Sequence, residues 1–239
     1  MAYENTYLIT GASSGIGIEV CRQLLLAQNR VIAVYRSSSQ YLDNLRDLGD
    51  IDLIQHDFSS PGSTEAFINE NIQLLNTVDG LIGLAATRRA VNYGDISTQD
   101  FLDHFLVNTI PVALLIQHLS PLMEARKWGR IVIGSSIGVK FGGGEDSYCY
   151  SISKLASELI PNKHKQWSKS NVLINSVRIG VTNTQTMKLL NTRVLEARQK
   201  LIPMNRLAQP SEIAEAICWL AGPKNTFITG QTIPISGGE

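Results

Sequence analysis

The sequence predicts an α/β fold, a doubly wound parallel sheet of seven strands with helices on both faces. Three observations carry that expectation. Short β-branched and apolar runs recur along the 239 residues, each followed by a longer segment of helical period. Runs such as Val31-Ile32-Ala33-Val34 are apolar without alternation, as burial on both faces of a parallel sheet requires. The first run ends in a glycine-rich turn that leads directly into a helical segment.

Taken in order, the expected strands are Tyr7–Thr10, Val31–Tyr35, Ile51–His56, Gly80–Ala85, Arg130–Ser135, Val172–Val177 and Thr226–Ile235. Between them, Gly15–Gln28 carries Ile16, Val20, Leu24 and Ala27 near helical spacing. Phe101–Met123 does the same over a longer span, with a kink or break expected near Pro111. Tyr150–Lys169 reads as a helix that Pro161 must bend or divide. Met187–Leu201 reads as a mobile helical flap between the sixth and seventh strands, so a substrate flap is expected at about 184–203. The length suits a single α/β domain over 1–239. In such sheets the ligand sits beyond the carboxyl ends of the strands, which is where chemistry is to be sought.

Composition narrows the function classes. Twenty-one basic residues balance twenty-one acidic ones, so no global positive field draws the chain to nucleic acid or anionic lipid, and a small-molecule partner is expected. The opening residues lack the basic start and long apolar segment of a signal peptide, and no continuous run of about 18 apolar residues occurs, so no membrane span is expected. Cys21, Cys149 and Cys218 are odd in number, far apart and without metal-ligand spacing. Reduced thiols in a cytoplasm fit them better than a disulfide framework, and no metal site is expected.

Gly11, Gly15 and Gly17 follow the first strand as G-x-x-x-G-x-G, with Ser13, Ser14 and Ile16 among them. Glycines let the backbone turn tightly and approach a pyrophosphate, whose charge then faces the unpaired N–H groups of a helix N-terminus. At the end of the second strand an NAD site would carry a carboxylate for the ribose 2′-OH. Tyr35 stands there instead, followed by Arg36 and Ser37, a guanidinium and hydroxyl suited to a 2′-phosphate. NADP(H) is therefore expected ahead of NAD(H), the alternative being a solvated surface arginine. Asp57, with Phe58 beside it, is placed either to accept from an adenine amino group or to cap the turn at Ser59-Ser60-Pro61.

Tyr150 and Lys154 are four apart on one helix face, and of the seven tyrosines only Tyr150 has a lysine at that spacing. A tyrosine with pKa about 10 is a poor acid–base group near neutrality; an ammonium and a cationic nicotinamide would both favour its phenolate. Together with Thr10–Gly17, Val107-Asn108, Gly129-Arg130-Ile131-Val132, Ile228-Thr229-Gly230-Gln231 and Gly237-Gly238, the pair makes the chain resemble the short-chain dehydrogenase/reductase family in its single-domain, Rossmann-type form, over nearly the full length. The resemblance implies Tyr150 as proton donor, Lys154 beneath it and on the nicotinamide ribose, and Asn108 holding a water that links Lys154 to solvent. Counted from Arg130, Ser136 takes the catalytic serine's place, with Ser135 open. The interval of fourteen positions to Tyr150 exceeds the family's usual one, and the Gly142-Gly143-Gly144 loop is expected to absorb the difference.

Two segments depart from the family. Gly83-Leu84-Ala85-Ala86 stands where Asn-Asn-Ala-Gly is usual, leaving only backbone groups of Ala85 and Ala86 for the cofactor. Ile179-Gly180 replaces Pro-Gly, yet Gly180-Val181-Thr182-Asn183-Thr184 keeps the spacing, so backbone at Val181 or Thr182 and the Thr184 hydroxyl are expected at the nicotinamide carboxamide. The expected activity is reduction of a ketone or aldehyde by NADPH, the substrate candidates being keto-sugars, 3-oxoacyl thioesters and small ketones. A dinucleotide-binding protein without turnover is the alternative from another class, and a non-redox use of the site has no positive signal. Lys127 and Lys169 fall near positions that related reductases use to dock a carrier protein, with solvated lysines as the other reading. By the resemblance, helices 101–127 and 150–169 would pair subunits into a homotetramer, a dimer being next.

Overall fold

The computed structural model describes residues 4–37, 40–185 and 192–239. Seven strands run β1 Thr6–Thr10, β2 Arg30–Tyr35, β3 Ile51–Gln55, β4 Gly80–Gly83, β5 Gly129–Ser136, β6 Val172–Ile179 and β7 Gln231–Ile235. All pair in parallel, in the order β3-β2-β1-β4-β5-β6-β7. The chain therefore reverses its direction of travel across the sheet between β1 and β4, and the crevice at their carboxyl ends is the expected ligand position. Register fixes its walls: Thr10 lies opposite Val34 on one side and Gly83 on the other.

Helices are α1 Gly15–Leu26, α2 Gln40–Asp43, α3 Ser63–Glu70, α4 Ile72–Leu75, α5 Thr98–Asn108, α6 Ile110–Arg126, α7 Tyr148–Ser157, α8 His164–Trp167, α9 Thr192–Gln199 and α10 Pro210–Ala221. The pleat of β1 shows why both faces are covered. Tyr7 and Ile9 point into a core built with Val20 and Leu24 of α1 and Ile213 and Ile217 of α10. Leu8, between them, points the other way, into a core with Phe67 of α3 and Leu115 and Leu119 of α6. The Tyr7 phenol ends its path by donating to the Ala221 carbonyl at 2.9 Å.

Several boundaries differ from expectation, each for a local reason. The long helix breaks at Thr109 (φ −120°, ψ −55°), and Pro111 sits in the first turn of α6, where its missing N–H costs nothing. The Thr109 hydroxyl donates to the Ser153 carbonyl at 2.9 Å, so the break is tied to α7. That helix starts at Tyr148 and ends at Ser157, with α8 following after Pro161, which divides the segment. Strand β7 begins at Gln231, because Thr226–Gly230 is a turn in which Asn225 accepts from the Ile228 amide at 2.9 Å. By length and composition alone Thr98–Arg126 could cross a bilayer; here it is two helices, with Asp100, His104 and Asn108 buried on the first and Leu115, Leu119 and Met123 packed toward the sheet. The anticipated flap falls partly on residues 186–191, outside the described residues, and its described part contains α9.

Candidate active site

Two hollows of about 260 and 290 Å³ share Ser14, Leu84 and Ala86 and make one cleft across the carboxyl ends of the strands. A larger hollow, about 460 Å³, lies beside Glu65, Asn69 and His118 on α3 and α6, away from every anticipated residue, so size alone does not locate the chemistry.

In the nucleotide half, Gly11 turns at φ +70°, and a Cβ there would stand 2.7 Å from the Ala85 amide nitrogen. A side chain at Gly17 would meet the Gly11 carbonyl oxygen at 2.4 Å. The glycines thus let the β1 turn, the β4 end and α1 close on one another. Ser14 caps α1, accepting from the Gly17 amide at 3.0 Å and donating to the Gly11 carbonyl at 2.8 Å, so its hydroxyl serves the loop. Ile16, in the first turn of α1, lines the cleft, whereas Gly15 lines neither hollow. Ser13, Tyr35, Arg36, Ser37, Asp57 and Ala85 line this half, and Arg36 and Ser37 are exposed, so a 2′-phosphate can reach both. Asp57 accepts the Ser59 amide at 2.9 Å, which makes it a turn cap on one carboxylate oxygen. Phe58 is buried: its ring meets His56 and Phe67 at 4.7 and 5.6 Å and belongs to the wall rather than to a ligand.

The missing asparagines have identifiable replacements. Thr10 accepts the Ala85 amide at 3.2 Å through its hydroxyl and the Leu84 amide at 3.1 Å through its carbonyl. Two residues beyond Ala85, Asn108 grips Thr87 twice, accepting from its amide at 2.7 Å and donating to its carbonyl at 3.0 Å. The same Asn108 amide donates to the Ser153 hydroxyl at 2.8 Å. Its side chain is therefore occupied in joining the β4 loop to α7, and the anticipated water relay to Lys154 would have to use another of its groups.

In the reactive half, Ser136, Tyr150, Lys154 and Thr184 line the cleft together with Ile179 and Gly180. Ser136 caps the 3-10 turn Ile137–Phe141, accepting the Gly138 amide at 3.2 Å, and lines the cleft beside Tyr150. Ser135, one residue earlier, is buried and donates to Glu158 at 2.6 Å. Pleat alternation separates the two: Ser136 meets the tyrosine, and Ser135 is turned to Glu158. Between Ser136 and Tyr150 the chain turns through Gly142 and Gly143 at φ +70° and +83°. Val181 lines a neighbouring hollow with Met204 and Ile213, not the one that holds Tyr150.

Lys154 is 3% exposed, and its ammonium donates to the Gly134 carbonyl at 2.7 Å. Burial pushes its pKa down to about 8. Burial likewise pushes Tyr150 up; the opposing pull comes from the Ser136 hydrogen bond and the charge of Arg88. The Lys154 ammonium is turned to the β5 carbonyl of Gly134. At neutral pH the phenol keeps its proton and can act as an acid.

Four polar residues here were not anticipated. Glu158, four positions beyond Lys154 at the C-terminal cap of α7, a spacing visible in the sequence, binds Arg178 of β6 at 2.7 Å. Arg88 pairs with Asp146 at 2.8 Å across the loops after β4 and before α7. Only the fold brings those two together.

Residues 11–239 match the family model described as enoyl-(acyl carrier protein) reductase. An acetoacetyl-CoA reductase from Acinetobacter is 29% identical over 245 residues, covering 100% of this chain and 98% of the relative. A 3-oxoacyl-[acyl-carrier-protein] reductase from Vibrio cholerae is 28% identical, covering 97% and 95%. Among solved structures, a 3-oxoacyl (acyl-carrier-protein) reductase from Agrobacterium tumefaciens with NADP bound superposes with a TM-score of 0.88 at 25% identity, covering 99% of this chain and 95% of that one.

Proposed function

The chain belongs to the short-chain dehydrogenase/reductase family, and from that premise we propose that it reduces the 3-oxo group of an acyl thioester to a 3-hydroxy group, with NADPH as hydride donor and Tyr150 as proton donor. The observation that carries the reading is the meeting of Ser136, Tyr150 and Lys154 in the same cleft that Gly11 and Arg36 enter from the other end. The residues fit the dinucleotide. The α1 N-terminus suits the pyrophosphate, and Arg36 with Ser37 suits the 2′-phosphate.

NADPH, when bound, supplies the hydride. Tyr150 holds the proton that the carbonyl oxygen takes, and burial keeps it in place at neutral pH. Ser136 orients the phenol and offers the same oxygen a hydrogen bond, polarising the carbonyl. Lys154 fixes the floor between α7 and β5 and is the candidate ligand of the nicotinamide ribose, with Thr184 near the carboxamide. Asn108 acts as a clamp through Thr87 and Ser153. The acetoacetyl and 3-oxoacyl reductases among the relatives support the substrate class. The enoyl description of the family model makes a 2-enoyl thioester the second compound to assay.

The reading extends to a single dinucleotide-binding domain in a cytoplasmic homotetramer. Leu102, Ile110 and Leu155, exposed on α5, α6 and α7, support subunit contacts there, and light scattering tests the state. The function itself is tested by following NADPH oxidation with acetoacetyl-CoA and with a 2-enoyl-CoA. Turnover of the first supports the proposal; turnover of the second alone overturns it.

A further inference from the structure

Arg88 follows Ala86 of the cleft by two residues and has no part in the mechanism above. The preceding residue, Thr87, is held by Asn108 at both its amide and its carbonyl, so the backbone that presents Arg88 is fixed. Its guanidinium reaches Asp146, on the loop that leads into α7, at 2.8 Å. The same two loops are stitched by backbone bonds, Val91 to the Asp146 carbonyl at 2.9 Å and Tyr93 to the Glu145 carbonyl at 3.2 Å, and by the edge-on ring contact of Tyr93 with Tyr148 at 5.1 Å. Arg88 is thus tied between two segments of the site, two residues beyond Ala86, which lines the cleft, and through Asp146 four residues before Tyr150. Its positive charge opposes the burial-driven rise of the Tyr150 pKa.

The side chains of this pair are 52% and 41% exposed, and an ion pair so open to water contributes little to stability. A planar fork of five donors, of which Asp146 takes one in this geometry, has N–H groups left for a ligand. Asp146 already neutralises the charge, so the spare donors suit a neutral carbonyl oxygen better than a second carboxylate, which Asp146 would repel.

We propose that Arg88 is a specificity-determining residue that donates a hydrogen bond to the thioester carbonyl oxygen of a 3-oxoacyl substrate, fixing the reacting 3-oxo group against Tyr150. Asp146 acts as a positioning residue that holds the guanidinium in place. This rests on the thioester reading above, and the two fail separately.

The experiment is steady-state reduction by NADPH of three compounds, acetoacetyl-CoA, acetoacetate and a simple monoketone, by the wild type, Arg88→Ala, Arg88→Lys and Asp146→Ala. Arg88→Ala is expected to lower kcat/KM for acetoacetyl-CoA about 10- to 100-fold, the effect of one charge-assisted hydrogen bond. The monoketone, with no second carbonyl, should change less than about 3-fold, and the KM for NADPH should not move. Lysine, a single donor in place of a fork, should recover part of the loss, and Asp146→Ala should reproduce part of it. Equal losses on the thioester and the monoketone overturn the proposal, as does an unchanged thioester rate. A larger loss on acetoacetate than on acetoacetyl-CoA also overturns it, because Arg88 would then be reading a carboxylate. A wild type that reduces only the monoketone instead removes the thioester reading itself. Melting curves separate a misfolded variant from an impaired one.

Discussion

Arg178 lays both arms of its guanidinium on Glu158, Nε on Oε1 at 2.8 Å and Nη2 on Oε2 at 2.7 Å. Ser135 adds a third donor to the same carboxylate, which is only 7% exposed. The C-terminal cap residue of α7 thereby fastens the helix carrying Tyr150 and Lys154 to β5 and β6. Glu158→Ala should destabilise the fold by about 2–3 kcal/mol, less than for a fully buried pair because Arg178 keeps contact with water. Replacing both partners by leucine should recover most of that loss. Urea unfolding of the two variants measures the difference, and a double variant as unstable as the single one would contradict the account.

Tyr150→Phe removes the proton that the proposed mechanism gives to the carbonyl oxygen while preserving ring packing. Turnover should fall by about 10²- to 10⁴-fold. NADPH affinity, followed by fluorescence, should stay within about 3-fold, because the phenyl ring keeps the cleft wall.

Lys154 predicts a trade of activity against stability. Its pKa falls from 10.5 unfolded to about 8 folded, so below pH 8 both states are protonated and the full desolvation cost is present. Lys154→Met should abolish turnover yet stabilise the apoprotein by about 1–2 kcal/mol at pH 7, once the lost bond to Gly134 is allowed for. As pH rises from 8 toward 10 the folded lysine sheds its proton and the cost lifts. The advantage of the variant should shrink over that range in paired denaturation curves.

Arg36→Ala should weaken NADPH about 10- to 100-fold and leave NADH within about 3-fold, as expected of a residue that meets only the 2′-phosphate. Calorimetric titration with each dinucleotide decides it. Equal losses would return Arg36 to the solvated surface.

Gly11→Ala forces a side chain into a left-handed turn and against the Leu84 and Ala85 backbone at 2.7 Å. A loss of about 2–4 kcal/mol is expected, together with NADPH binding. Thermal melting and a binding titration report the two effects independently.

Much of this site was legible because its chemistry is local in sequence. Gly11, Gly15 and Gly17 lie in one turn, and Tyr150 and Lys154 on one helix face, so spacing alone specifies their geometry. Long-range partners were not legible. Arg88 and Asp146 are 58 positions apart, and nothing in either residue announces the other. The choice between Ser135 and Ser136 depends on strand register against β6, where Ser135 falls opposite Arg178 and Ser136 opposite Ile179. Composition cannot supply that register. Nor does the sequence connect the Thr10 hydroxyl with the Ala85 amide that it accepts from 75 positions away.

The adjacent serines of β5 have a consequence for assembly of the sheet. A slip of one residue in that strand would still deliver a hydroxyl to the tyrosine, since Ser135 would take the place of Ser136. It would also strip Glu158 of its third donor and move Arg130 out of its buried bonds to Asn171 and Asn225. The reaction centre alone therefore cannot tell the correct alignment from its nearest error, and the discrimination falls to groups that never meet the substrate. Proofreading of the strand is done from behind, at Glu158 and at Arg130, before any ligand arrives.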